Sequence, residues 1–354
     1  MWSPGPHAQA LCVRPHAAHM LCHQIHQRRA TASGRPEATS EKTTAEAGTG
    51  GDSIVARSGA FAYSPCDPER MRAPSDTTPR SLVWATDLDV LPLDRVVERR
   101  DGYLVVRSPG NPTHYWGNLL LFDDPPAEGD AGRWEAQFAN AFGSDPRVRH
   151  TTFAWDRPDG DLGAAREEFG GRGYDVEETI GLVAEAGEVV PHGRENREVV
   201  VRALDPAPGA DEDLWEAVVD LQVASRDEGH DEDSFRSFAR SRVRGRRELF
   251  RAGRGGWYVA IDPGSGDVAA SCGVVVTGGR GRYQVVDTAL EYRRRGIASR
   301  LVAEAAHHAE AEHGAERLVI AADPDYHALG LYESLGFQRR ERVAGVCRWP
   351  RSAP

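Results

Sequence analysis

Arg293-Arg-Arg-Gly-Ile-Ala298 stands between a run that reads as a strand, Tyr283 to Leu290, and a run that reads as a helix, Ile297 to His313. In the helical run Ile297, Leu301, Ala305 and Ala309 cover one face, and Gly314 sits where a C-cap is expected. A hexapeptide at such a junction lies beside first-turn amides that have no intrahelical acceptor, at the positive end of the helix dipole. That is a place to receive a phosphate-like anion. Gly296 allows close backbone approach without a Cβ, Ala298 is too small to crowd the helix start, and three arginines add positive charge. Taken alone, the six residues read equally as a basic cap on a solvated face.

Downstream the pattern predicts a strand over Arg317 to Ala321, a short helix ending at Leu335 with Gly336 as its cap, and a last strand or hairpin from Phe337 to Trp349. The short helix carries Leu331-Tyr-Glu-Ser-Leu-Gly-Phe337. If the strand before it neighbours Tyr283 to Leu290, Tyr332 approaches the reacting end of a ligand held by the hexapeptide, where its hydroxyl can serve as a general acid. A tyrosine that merely packs its ring and wets its hydroxyl is the alternative. Upstream come a strand at Val199 to Leu204, two charged amphipathic helices at Glu212 to Arg226 and Ser234 to Phe250, and strands at Trp257 to Ile261 and Val268 to Thr277. The turn Asp262-Pro-Gly-Ser-Gly-Asp267 joins the last two.

Residues 81–190 read as mixed α and β: strands at Tyr103 to Arg107, Tyr115 to Phe122, His150 to Trp155 and Tyr174 to Ala184, with helices at Arg133 to Phe142 and Asp161 to Gly170. They echo the later region. Gly173-Tyr174, Glu178, Ile180 and Val183 match Gly336-Phe337, Glu341, Val343 and Val346 in identical spacing, and His150 to Asp156 and Arg317 to Asp323 are both apolar strands ending in Asp. The expectation is two copies of one architecture, 81–190 and 197–350, joined by the linker 191–196.

The two motifs, their order and the β–α–β–α–β setting resemble the GNAT superfamily of N-acyltransferases over about residues 197–349. The resemblance implies an α/β (α+β) fold of tandem GNAT-like domains, each a mixed, mainly antiparallel sheet flanked by helices. It implies that Arg293, Arg294, Arg295, Gly296, Ile297 and Ala298 wrap the pyrophosphate of acetyl-CoA, and that Val286, Asp287 and Thr288 pair their backbone with its pantetheine arm. It also implies a bulge that parts this strand from Arg317 to Ala321, freeing amides to polarise the thioester carbonyl, and a general acid at Tyr332. Asp325 stands where the family often has a cofactor-contacting Asn, and reads otherwise as a helix cap at Tyr326; Ala298 replaces the commoner final glycine. The amine must lose its proton before attack, so a base is expected, with Asp287 favoured over Glu291. The acidic run Asp227, Glu228, Asp231, Glu232 and Asp233 reads either as an attractor for a cationic amine or as a solvated loop.

In the first copy Phe169 occupies the place of Tyr332 and has no proton to give, while Glu128-Gly-Asp-Ala-Gly132 is acidic where a phosphate loop should be. A degenerate copy that binds no coenzyme A is expected, with His114-Tyr-Trp116 either lining a pocket or packing. The predicted activity is transfer of acetyl from acetyl-CoA to a primary amine; a non-catalytic acetyl-CoA sensor or scaffold is the alternative. A nucleic-acid binder working through Arg236, Arg240, Arg244 and Arg247 sits badly with a formal charge of −11. Lys42 is the single lysine, which removes Walker-type and Schiff-base chemistry. The 5 cysteines are scattered without zinc spacing, and no run is long and apolar enough to span a membrane, so a cytoplasmic protein is expected. Residues 1–80 are rich in small and polar residues and read as a disordered extension. Cys12, His16, His19, Cys22, His23 and His26 lack a metal-site spacing there, and Met71 is an alternative start.

Overall fold

The computed structural model describes residues 77–226, 231–325 and 328–349, so the expectations for 1–76 and for Asp227 and Glu228 fall outside the described residues. The order of elements is α1 (Leu82–Asp89), β1 (Val96–Arg100), β2 (Tyr103–Arg107), β3 (Leu119–Phe122), α2 (Asp130–Phe142), β4 (Thr151–Trp155), α3 (Ala165–Gly170) and β5 (Asp175–Glu185). The second half follows with β6 (Val200–Ala203), α4 (Glu212–Ala224), α5 (Glu232–Arg251), β7 (Gly255–Ile261), β8 (Val268–Thr277), β9 (Arg280–Thr288), α6 (Ile297–His313), β10 (Arg317–Ala322), α7 (Leu329–Ser334) and β11 (Gln338–Arg348). The fold is α+β. The 11 strands of the described residues form one mixed sheet in the order β1-β2-β3-β4-β11-β5-β10-β9-β8-β7-β6, with β3–β4 and β9–β10 parallel.

The succession β1-β2-β3-α2-β4-α3-β5 recurs as β7-β8-β9-α6-β10-α7-β11, but the copies exchange their ends. β5 lies between β10 and β11, and β11 lies between β4 and β5. The offset that carries Gly173 to Gly336 also carries the pair Thr179 and Val343 into the pair Arg342 and Ile180, so the central β5–β11 ladder lies on the axis relating the copies. The linker therefore separates the halves along the chain while the sheet joins them.

Helices cover both faces, so the central strands are apolar on both sides. Leu318, Ile320 and Ala322 of β10 pack beneath α6 and α7, whereas Val319 and Ala321 pack beneath α1. Helices α4 and α5 cover β7 to β9 around Trp215 and Trp257, and α2 and α3 cover the first copy around Trp134 and Phe153. The α6 stripe is buried throughout. Gly314, at φ 66°, ends the helix with a bond from its own amide to the Glu310 carbonyl (3.1 Å), the single bond of an αL cap, and the Ala315 amide reaches back to Ala309 (3.0 Å). Among the described residues no helix is long and apolar enough to cross a membrane.

Three elements depart from the sequence pattern. Tyr115 to Phe122 is not one strand: Tyr115–Gly117 is a 3₁₀ turn and pairing starts at Leu119. The Asn118 side chain accepts from the Ser108 amide and donates to the Asn111 and His114 carbonyls, each at 2.9 Å, which ties the loop into a turn instead of a ladder. The helix expected from Asp161 starts only at Ala165, because the Asp161 carboxylate turns back onto the Gly163 amide at 2.9 Å. Helix α1 has no amphipathic period, and six of its eight residues are buried. It is held by Glu341 of β11, whose carboxylate accepts from the Leu82 and Val83 amides and from Ser81 Oγ at 2.7–3.0 Å.

Candidate active site

After β9 the chain makes a short 3₁₀ turn, Leu290–Tyr292, and enters α6 through two left-handed residues, Arg294 at φ 61° and Gly296 at φ 77°. Among the described residues no side chain caps α6 at its N-cap, so its first amides are left without intrahelical acceptors. The arginines are placed differently. Arg293 is half-buried and donates from Nε to the Thr288 carbonyl at 3.0 Å, Arg295 stacks on the Tyr292 ring at 5.1 Å, and Arg294 is exposed. Gly296 is demanded by its φ and by the linker: a Cβ there would lie 2.2 Å from the Arg194 carbonyl oxygen. The linker is pinned by bonds from the Asn196 amide to the Gly296 carbonyl (3.2 Å) and from the His192 amide to Ser299 Oγ (2.8 Å). Ile297 is buried in the core and Ala298 half-buried at the first turn.

β9 carries a bulge. Its pairing with β8 jumps from Gly273–Gln284 to Ser271–Asp287, and Val285 sits at φ 44°, a strained conformation for a β-branched residue. Parallel pairing with β10 ends at Val319–Arg282, so the strands are unpaired alongside the bulge and Thr288. The bulge re-aims the side chains. Val286 packs into the core beneath α6, in the cluster that also holds Ile297 and Tyr332, while Val285 joins the core beneath α5.

Asp287 is 6 % exposed, and its Oδ2 has no hydrogen-bond partner among the described residues. Burial pushes its pKa up to about 7, against the pull of Arg242 and Arg293. Glu291 is exposed on the following turn. Tyr332 is buried on α7 with its ring edge-on to Phe337, 6.4 Å between centroids. Asp325 is exposed, with its amide donating to Asp323 Oδ1 at 2.8 Å; α7 has Ala328 at its N-cap position, so Asp325 is not its cap.

On the α5 side of the sheet lies a cavity of about 530 Å³ that the sequence did not reveal. One wall is α5, from Ser234 to Arg246, and the floor is β9 from Arg282 to Val285. The opposite wall belongs to the first copy: Asp87 and Leu91 at the end of α1, and the loop Asn111 to Trp116, which includes the aromatic stretch His114-Tyr-Trp116. Asp87 is raised to about 6 by burial, which outweighs the neighbouring Arg282 and Arg246. The pocket-lining reading of His114-Tyr-Trp116 thus matches the lining, and a further signal was the recurrence of Ser234, Ser237 and Ser241 along one face of an otherwise charged helix. On the outer face of α5, Arg236, Arg240 and Arg247 pair with Asp220, Glu216 and Glu212 of α4. Asp231 caps α5 through the Ser234 amide at 2.9 Å, and Glu232 pairs with Arg226 at 3.0 Å, so these two acids of the acidic run serve the helix itself.

The matching place in the first copy is filled. β3 and β4 stay paired from Leu120–Phe153 to Phe122–Trp155, without a parting. Gly129 opens α2 as Gly296 opens α6, but the Glu168 carboxylate accepts from the Gly129 and Ala131 amides at 2.8 and 3.4 Å and so occupies the helix terminus. Phe169 is fully buried against Trp134, Phe153 and Tyr174.

The model of the acetyltransferase (GNAT) family matches residues 215–337. No curated protein matches the chain in sequence. Among solved structures, a functionally unknown conserved protein from Staphylococcus epidermidis superposes with a TM-score of 0.55 at 13 % identity, covering 73 % of this chain and 96 % of its own. A GCN5-related N-acetyltransferase from Kribbella flavida superposes with a TM-score of 0.51 at 13 % identity, covering 74 % of this chain and 91 % of its own. A tandem GNAT protein from the clavulanic acid biosynthesis pathway, at 16 % identity and a TM-score of 0.47, covers 78 % of this chain and 92 % of its own. At these identities the likeness of the first two concerns the fold, and it extends over both halves of the sheet. With its bulged β9 leading into the uncapped glycine-started α6, the segment 215–337 belongs to the GNAT acetyltransferase family.

Proposed function

We propose that the protein is an N-acetyltransferase that passes the acetyl group of acetyl-CoA to a primary amine at one working site. That site lies in the domain 197–350, and the first copy, 81–190, joined through the linker 191–196, shapes the acceptor side. The observation that carries the reading is the parting of β9 from β10 at the Val285 bulge, with an uncapped helix start on one side and, on the other, the buried Asp287 carboxylate, whose Oδ2 has no hydrogen-bond partner among the described residues. The residues fit acetyl-CoA, which supplies an activated acetyl thioester when bound. The first-turn amides from Ile297 to Ser299 and the charges of Arg293, Arg294 and Arg295 suit a pyrophosphate. On the side of β10 the backbone of Val286, Asp287 and Thr288 has no strand partner and suits an amide-bearing arm.

In the transfer, Asp287 accepts a proton from the amine, the nitrogen forms its bond to the carbonyl carbon, and the carbon–sulfur bond breaks. Backbone amides freed by the bulge stabilise the charge that develops on the carbonyl oxygen. Tyr332 gives its hydroxyl proton to the departing sulfur. A carboxyl poised at about 7 suits the task, because it is a stronger base than an ordinary carboxylate and is still about half ionised at neutral pH.

Release of free thiol from acetyl-CoA, followed across pH with a pool of primary amines, tests this. The wild-type rate should rise with pH through about 7, as Asp287 loses its proton. Asp287→Asn should remove that limb and, like Tyr332→Phe, lower the rate by about 10²-fold. Tight acetyl-CoA binding with no thiol release on any amine would favour a sensor instead.

A further inference from the structure

Electrostatics of the cavity between the copies restrict the acceptor. Three guanidinium groups line it, from Arg242, Arg246 and Arg282, against one lining carboxylate, Asp87. Arg282 is 4 % exposed and fixed: it pairs with Asp87 at 2.8 Å and donates to Thr86 Oγ1 at 2.8 Å. Arg242 and Arg246 lie one turn apart on α5 and so share a wall. Arg246 donates from Nε to Gln284 Oε1 at 3.0 Å and from Nη1 to the Val90 carbonyl; Arg242 donates to Gln222 Oε1 at 2.6 Å and lies over the Phe238 ring at 5.0 Å. Among the described lining residues guanidiniums thus outnumber carboxylates three to one, and Asp287, beyond the floor, has Arg293 as well as Arg242 beside it. Charge in such a partly buried place acts more strongly than in water, so a polycation is repelled and an anionic group is drawn in.

We propose that the acceptor is an amine that also bears a carboxylate, of amino-acid or short-peptide type. Arg242 and Arg246 receive its carboxylate, the serine hydroxyls of α5 add hydrogen bonds, and its amine is turned toward the β9 bulge. A planar carboxylate matches the guanidinium fork, and the cavity volume lies in the range that holds a small ligand. Tyr115 and Trp116 give the acceptor an aromatic wall from the first copy, so specificity is set by the half that has lost the cofactor site.

The proposal rests on the acetyltransferase reading, and its test keeps the two apart. Two measurements are made with the full chain: binding by calorimetry in the presence of coenzyme A, and thiol release from acetyl-CoA. The panel is the L-amino acids, their carboxamides, short peptides, phosphoethanolamine and spermidine. The best carboxylated amine should exceed its carboxamide by about tenfold or more in both affinity and kcat/KM, in keeping with a charge-assisted hydrogen bond. Arg246→Gln and Arg242→Gln should each shrink that ratio toward one while acetyl-CoA binding persists, and Arg246→Lys should keep part of it. A preference for spermidine, for phosphoethanolamine or for carboxamides overturns the proposal and leaves the acetyltransferase reading standing. So does a ratio that survives both glutamine variants. Binding of a carboxylated amine with no thiol release on any amine sinks the acetyltransferase reading and keeps the anion-receiving cavity. Absence of binding by every carboxylated amine overturns the proposal outright.

Discussion

Glu177 stands on β5 with both carboxylate oxygens buried and without a hydrogen-bond partner among the described residues. Burial, together with Asp175 and Asp323 nearby, pushes its pKa from 4.5 up to about 8. The folded chain thus keeps this proton where the unfolded chain has released it. Its contribution to stability is fully present below pH 4.5 and is lost as pH rises to about 8. Glu177→Gln should raise the melting temperature at pH 8, on the order of a few kcal/mol or several degrees, and change it little at pH 4.5. Thermal unfolding at the two pH values checks this; equal shifts at both would show that the proton is not involved. Asp287 shows what one sequence position can and cannot tell. Residues four apart on one strand share a face, so alternation does not separate Asp287 from Glu291; the end of β9 at Thr288 does, because it leaves Glu291 on the exposed turn that follows. Glu177 gave no sequence signal at all, since a glutamate in a strand is ordinarily a solvent-facing one.

Helices α2 and α6 start alike, each with a left-handed glycine and no cap from its own N-cap residue, yet only α2 has a carboxylate from another element over its first amides. Glu168→Ala should uncover the α2 terminus and cost about 1 kcal/mol. Because β3 and β4 remain paired and Phe169 with its aromatic neighbours fills the interior, calorimetry on this variant should still give one acetyl-CoA per chain. A second binding event would mean that Glu168 alone had closed the first copy. At this scale the sequence was most informative where an element carries its own boundary signals. The limits of α6 follow from Gly296 and Gly314, whereas α1, with neither an apolar period nor a glycine stop, is recognised only when the sheet and the Glu341 carboxylate are in place.

The exchange of β5 and β11 makes the halves interdependent. β10 is paired on one side by β9 and on the other by β5, which belongs to the first copy. A fragment of residues 197–354 produced alone should therefore expose both β10 and β11 edges and be recovered as aggregates or dimers, while co-production with residues 1–196 should give a one-to-one complex. Size-exclusion chromatography with light scattering distinguishes these results, and a stable, monodisperse monomer of 197–354 would contradict the interdependence. The proposed cofactor side was legible because it is local: a strand, a hexapeptide and a helix start, consecutive in the chain, make a place suited to an anion. The repeat was legible too, because equal spacing of Gly173-Tyr174 and Gly336-Phe337 survives in the sequence. Which copy each last strand joins was not, since an apolar strand specifies which of its faces is buried and leaves its neighbour open. The cavity proposed for the acceptor was legible only as an aromatic stretch, for the same reason: Asp87, Asn111 and Trp116 meet Arg242, Arg246 and Arg282 only through the exchanged sheet. Sequence by itself determined most of the elements and the glycine-started turn proposed to receive the cofactor, which depend on short-range stereochemistry; the tertiary structure decided the cavity proposed for the acceptor, which depends on long-range pairing.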